Sequence, residues 1–132
     1  LQWQILKNKK KIKVCLIEAN SKFDSGDIVL KDFIKFDGTE LYDHIRFKQA
    51  QISLKLIKIF LKKFPKIRKI KQKGKPTYFR FRSKFDSKID INSSIKKQFN
   101  LLRIVNNNKW PAYFFLKKRK YLIKIYRYKK NN

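Results

Sequence analysis

The stretch from Thr39 to Phe64 constrains the fold more than any other part of the sequence. Ile45, Ile52, Leu56 and Ile59 recur at the spacing of one helical face, and Phe47, Ala50, Leu54, Ile57 and Leu61 at the spacing of a second. A helix of about seven turns with two apolar stripes cannot stand alone in water. The pattern predicts packing on two sides, one of them against a sheet. Thr39 is placed to N-cap the helix, Glu40 and Asp43 suit the positive end of its dipole, and Pro65 stops it after Phe64.

On either side of this helix the pattern changes period. Residues 1–8 read as the end of a helix, with Leu1, Ile5 and Trp3 toward one face. Residues 12–18 run apolar and β-branched, as in a buried strand, and Cys15 within them reads as a small buried hydrophobe. Asn20 to Asp27 is a loop, Ile28 to Phe36 a second strand, and Asp37-Gly38 a turn. After the helix, Lys66 to Lys75 is basic and irregular, and Gly74-Lys75-Pro76 turns the chain into the strand-like Thr77 to Arg82. Asp86 to Asp90 is a polar loop. A helix from an Asn92 cap carries Ile95, Phe99 and Leu102 on one face and closes at Asn106 to Asn108. Ala112 to Leu116 and Tyr121 to Tyr128 then form a hairpin joined by the basic turn Lys117 to Lys120. No repeat and no Pro/Ser-rich linker interrupts the series.

With 132 residues, 42% hydrophobic and 15% aromatic, the chain is built to fold around one core rather than to stay disordered. It begins at Leu1 and contains no Met, so it reads as a fragment, while the polar close Lys129-Lys130-Asn131-Asn132 reads as a natural end. Lysines interrupt every apolar run, which leaves neither a membrane span nor a signal peptide and predicts a soluble, cytoplasmic protein. A single cysteine fits a reducing compartment. The formal net charge of +27, from 36 Lys and Arg against 9 Asp and Glu, raises nucleic acid as a partner. That signal is discounted: the excess is mostly Lys, it travels with abundant Ile, Asn, Phe and Tyr, and Lys lacks the planar fork that reads phosphate or guanine bidentately.

No self-contained catalytic set emerges. With one His and one Cys there is no zinc spacing, so no metal is expected, and the isolated glycines Gly26, Gly38 and Gly74 make no phosphate loop. His44, near the start of the long helix, has no partner at helical spacing beyond Lys48 and reads as solvated. Asp24 and Asp27 flank Ser25-Gly26, where a plain turn is one reading and a functional carboxylate the other. Tyr78, Phe79 and Phe81, interleaved with Arg80 and Arg82, form either a half-buried strand with a basic face or a platform that stacks on a base and neutralises a pyrophosphate.

Several strings in order tip the balance. Phe23-Asp24-Ser25-Gly26-Asp27-Ile28-Val29-Leu30 resembles the Leu-Asp-Thr-Gly-Asp-Ile-Leu segment of formyltransferases that use 10-formyltetrahydrofolate, a family that includes methionyl-tRNA formyltransferases and sugar N-formyltransferases. Leu1-Gln2-Trp3-Gln4-Ile5-Leu6 is similar to the helix after the family's Ser-Leu-Leu-Pro type loop, Lys13-Val14-Cys15-Leu16 to the strand leading to the Asp loop, and Gly38-Thr39-Glu40-Leu41 to the start of the next helix. Gln72 with Pro76-Thr77-Tyr78, Asp86 with Ile89-Asp90, and Ile95 to Arg103 followed by Trp110-Pro111-Ala112 continue the match. Each motif is weak alone; their order covers nearly the whole chain.

The resemblance implies an α/β fold: the C-terminal part of a Rossmann-like formyltransferase domain over residues 1–65, then a small α+β extension over residues 66–132. It implies transfer of a formyl group from 10-formyltetrahydrofolate to an amine. Asp24 becomes the catalytic carboxylate, with Gln72, Tyr78 and Arg80 as substrate-binding residues and Asp27 in a turn role. The family's paired Asn and His would precede Leu1, so the chain alone is expected to be inactive. Residues 95–125 resemble the short ending of enzymes acting on nucleotide-linked amino sugars, which makes such a sugar the expected acceptor and methionyl-tRNA the alternative. A homodimer is left open. A small basic RNA-binding protein remains as a non-enzyme alternative that explains the charge and not the ordered motifs.

Overall fold

The computed structural model describes residues 1–128; the expected natural end at Lys129 to Asn132 lies outside the described residues. Along the chain follow α1 (Gln2–Leu6), β1 (Lys11–Ile17), β2 (Ile28–Lys35), α2 (Tyr42–Lys63), a single 3-10 turn (Lys84–Ser87), α3 (Ile95–Arg103), β3 (Ala112–Leu116) and β4 (Arg119–Ile123). The mixed helix and strand content is of the α/β class, as expected. Two compact units share these elements. One takes Leu1–Lys10, Phe36–Ile45 and the chain from Phe79 onward, the other Lys11–Lys35 and Arg46–Tyr78.

In the second of these units, β1 and β2 form an antiparallel hairpin in which Lys11 pairs with Lys35 and Leu16 with Leu30, with a shift in register next to Ile17. Alternation explains why it is half-buried rather than buried: Ile12 and Ile34 point inward while Lys11, Lys13, Lys31 and Lys35 are exposed. Cys15 is accordingly half-buried rather than sealed in a core.

The two stripes of α2 have different fates. Ile45 and Leu56 are buried and Ile52 and Ile59 half-buried, whereas Phe47, Leu54, Ile57 and Leu61 are exposed, Leu61 by 68%. The expected two-sided packing is seen on one side only. The helix also starts at Tyr42, three residues after the expected cap. Asp37 Oδ1 accepts both the Thr39 N–H and its hydroxyl, each at 2.7 Å, which fixes Thr39 in a turn before the helix.

Glu40, expected at the helix dipole, turns inward in the first unit. Its carboxylate accepts the N–H groups of Asp37 (3.1 Å) and Gly38 (3.2 Å) and a bond from Arg103 Nη2 (3.0 Å), while Arg103 Nε donates to the Glu40 carbonyl (2.9 Å). Both side chains are over nine-tenths buried. Such a pair tolerates burial because nearly every donor and acceptor is matched. Near it, Ile89, Leu102, Val105 and Ala112 form a core flanked by Phe99, Phe114 and Ile123.

α3 is capped by Ser94, whose Oγ accepts the Lys97 N–H, rather than by Asn92, whose own N–H is taken by Asp90. β3 and β4 pair from Ala112 with Ile123 to Leu116 with Arg119. Their turn is only Lys117-Lys118, both left-handed with φ 45° and 63°, the pattern of a tight hairpin turn that continues the strand twist. The expected strand at 77–82 does not form. The Arg80 carbonyl accepts Trp3 Nε1 at 2.7 Å and the Phe81 carbonyl accepts Arg80 Nη1 at 3.2 Å, so side chains take the place of a ladder partner.

Candidate functional site

Between β1 and β2 the chain makes a long excursion closed at its base by the Glu18 N–H donating to the Asp27 carbonyl at 3.0 Å. Residue chemistry organises the interior. Asn20 Oδ1 accepts from the Lys22 N–H (3.1 Å) and the Ser25 hydroxyl (2.8 Å), and that hydroxyl also lies 2.9 Å from the Lys22 carbonyl. Asn and Ser are the residues whose short polar side chains substitute for backbone partners in loops. Phe23 and Asp24 stand exposed at the tip.

Two positions in this loop are conformationally demanding. Asp24 has φ 54°, the left-handed region that Asp and Asn tolerate better than other side chains. Gly26 is buried so tightly that an added Cβ would fall 1.7 Å from the Glu18 carbonyl oxygen. Only glycine fits there without moving backbone, so Gly26 sets how Asp24 and Asp27 flank it.

A second segment braces the loop from the far side of α2 in sequence. Ile70 and Ile28 exchange both backbone hydrogen bonds, at 2.8 and 2.9 Å. Lys69 pairs with Glu18 at 2.5 Å, and Gln72 Nε2 donates to the carbonyls of Asp24 (2.8 Å) and Gly26 (2.7 Å). The same unit holds an apolar groove of about 470 Å³ lined by residues including Leu16, Ile17, Val29, Ile57 and Phe60.

Of the expected site residues, Asp24 and Gln72 are thus brought together. Tyr78 belongs to the same unit and is 88% exposed. Arg80 belongs to the other unit, where its fork is already filled. It makes a bidentate ion pair with Asp86, and its guanidinium lies 5.0 Å from the Trp3 ring centroid. That hydrogen-bonded pairing, with the Ser83 N–H as a further donor, holds the Asp86 carboxyl well below the usual carboxylate range and raises Arg80. Burial pushes Arg82 down, and its Nε has no hydrogen-bond partner among the described residues. In β2, the hydrogen bond from Lys55, helped by the Phe33 N–H, lowers Asp32. Asp27 is half-buried and closes the base of the loop through its backbone; His44 is exposed.

Sequence reasoning missed Asn20, Ser25, Lys69 and Ile70. Asn20 and Ser25 could have been found, as a polar pair inside a loop that contains a glycine; Ile70 carries no local signal, since its partner lies 42 residues earlier. Among the described residues no group of three or more His, Cys, Asp or Glu could hold a metal ion, and no helix is long and apolar enough to cross a membrane.

No family model matches the chain. It is 31% identical over 120 residues to the methionyl-tRNA formyltransferase of Thermodesulfovibrio yellowstonii, covering 89% of this chain and 38% of that protein. To the methionyl-tRNA formyltransferase of Francisella philomiragia it is 26% identical over 116 residues, 88% of this chain and 36% of that protein. The homologues of this chain are formyltransferases. It spans little more than a third of the length of those curated relatives.

Solved structures, two of them of formyltransferases, share the fold. A methionyl-tRNA formyltransferase from Clostridium thermocellum superposes with a TM-score of 0.76 at 24% identity, over 97% of this chain and 56% of that one. A sugar N-formyltransferase from Shewanella gives 0.68 at 16% identity, over 98% and 55%. HypX from Aquifex aeolicus in complex with tetrahydrofolic acid gives 0.66 at 14% identity, over 94% and 22%. The ordered formyltransferase motifs of the sequence and these likenesses agree.

Proposed function

We propose that this chain is part of an enzyme that transfers a formyl group from 10-formyltetrahydrofolate to a primary amine, with Asp24 as a catalytic carboxylate. The observation that carries the proposal is the loop itself: an exposed Asp24 in a left-handed conformation, set by a glycine that admits no side chain and by a brace from residues 69–72. Turn-forming residues alone would need none of that bracing. In the family resemblance, such a carboxylate adjoins an imidazole supplied by residues outside this sequence. It orients the ring and raises its proton affinity.

The chemistry then balances. The amine nitrogen attacks the formyl carbon, the imidazole takes the amine proton, and the bond from that carbon to the folate nitrogen breaks as the proton passes to the leaving nitrogen. A side-chain amide donating to the formyl oxygen would stabilise the anionic intermediate by about 3 kcal/mol.

As acceptor we favour methionyl-tRNA over the nucleotide-linked amino sugar expected from residues 95–125. Both relatives at 26% and 31% identity are methionyl-tRNA formyltransferases, whereas the likeness to a sugar N-formyltransferase lies below the identity at which more than fold can be carried over. The sugar reading retains one observation, the bare Tyr78 ring, which can stack on a nucleotide base. The test is to supply the complete natural protein with 10-formyltetrahydrofolate and, separately, methionyl-tRNA and a dTDP-linked amino sugar. The expected result is formyl-methionyl-tRNA. Formylation of the sugar alone overturns the acceptor, and no transfer to either overturns the proposal.

A further inference from the structure

Gln72 lies beyond α2 in a segment without secondary structure, and its side chain serves nothing near it in sequence. Both acceptors it meets, the Asp24 and Gly26 carbonyls, can be reached only by the amide nitrogen. That nitrogen has two hydrogens, and both are committed to the loop. A side chain reserved for substrate would not be. The neighbouring contacts act in the same direction: Lys69 holds Glu18 at the start of the loop and Ile70 holds Ile28 at its end. Residues 69–72 therefore tie the base of the loop through two contacts and its tip through the third.

The tip needs that third contact. Asp24 is a non-glycine residue held in the left-handed region and exposed to water, a conformation that persists only when its surroundings determine it. Asn20 and Ser25 bind each other and Lys22, and among the described contacts it is Gln72 that fixes the peptide carrying the Asp24 carboxylate. We propose that Gln72 is a positioning residue, which acts on formyl transfer by fixing the backbone of Asp24 rather than by binding substrate. The inference rests on the reading of Asp24 as the catalytic carboxylate.

A double-mutant cycle in the complete natural protein tests it, with 10-formyltetrahydrofolate and whichever of methionyl-tRNA or the dTDP-linked amino sugar supports turnover. Gln72→Met, which keeps the length and removes both donors, is expected to lower kcat by about 10- to 100-fold while KM for donor and acceptor stays within about threefold. In an Asp24→Asn background the same change should alter kcat by less than about twofold, because its target is already gone. Gln72→Lys, whose ammonium again offers donors to both carbonyls, should recover most of kcat. An equal loss from Gln72→Met in both backgrounds, or a rise in KM at parental kcat, overturns the inference. If Gln72→Met does not fold, Gln72→Glu, which sets a carboxylate against two carbonyls, is read in the same cycle. Parental turnover in Asp24→Asn removes the catalytic reading itself; parental turnover in Gln72→Met removes this inference alone.

Discussion

The two hairpins of this protein solve the same closure problem in opposite ways. β3 and β4 turn in two residues, Lys117 and Lys118, and nothing from elsewhere in the described chain is needed to explain it. β1 and β2 are joined by residues 18–27, which rely on a glycine without room for a Cβ, on Asn20 and Ser25, and on a segment 46 to 51 positions downstream. A short turn is set by backbone preference; a long loop stays in one shape only when distant residues hold it. The difference separates scaffold from site, and several changes would break or sharpen it.

Gly26→Ala should have the largest effect. The new methyl group collides with the Glu18 carbonyl, so backbone must move; we expect turnover to fall by about 100-fold or more and stability by roughly 2–4 kcal/mol in urea unfolding. Parental behaviour would mean that the loop is not held as described. The double change Asn20→Ala with Ser25→Ala removes the internal bonds and should lower stability by about 1 kcal/mol, with a smaller loss of turnover than Gly26→Ala.

At the other hairpin the sign should reverse. Lys118→Gly relieves a left-handed lysine, φ 63°, and is expected to stabilise by about 0.5–1 kcal/mol with turnover within twofold. A destabilised Lys118→Gly protein would show that this turn, too, depends on its side chain.

The smallest effect is a pH dependence in the unit that contains β3 and β4. Asp86 is held below the usual carboxylate range by Arg80, so its stabilising contribution is full above pH about 4 and is lost as pH falls toward its folded value. Asp86→Asn should flatten the loss of stability between about pH 4 and pH 2 and leave a constant offset near neutrality. High salt should shrink the difference, since Arg80 is largely exposed.

What the sequence revealed follows the same division. Helical periodicity from Ile45 to Leu61 gave α2, and apolar, β-branched runs gave the strands of both hairpins, because those signals are local; that β1 and β2 pair as a hairpin was not legible there. The Asp24 loop was legible as a string. Its brace was not, since a hydrogen bond from Gln72 to Gly26 spans 46 positions and has no periodicity. Thr39 and Glu40 misled for a related reason: both are good first-turn residues, yet Asp37 captured the first and Arg103, 63 positions away, the second. Thr77 to Arg82 has strand composition, but the side chains of Trp3 and Arg80 took the Arg80 and Phe81 carbonyls that a ladder would have used.

The account turns on Asp24, and single-turnover formyl transfer by the complete natural protein carrying Asp24→Asn tests it most directly. The substitution keeps size, left-handed tolerance and the Gln72 contact to the backbone while removing the charge. The account predicts a rate at least about 1,000-fold below the parent at saturating 10-formyltetrahydrofolate and acceptor, with unchanged thermal stability. A rate within a few-fold of the parent would contradict it.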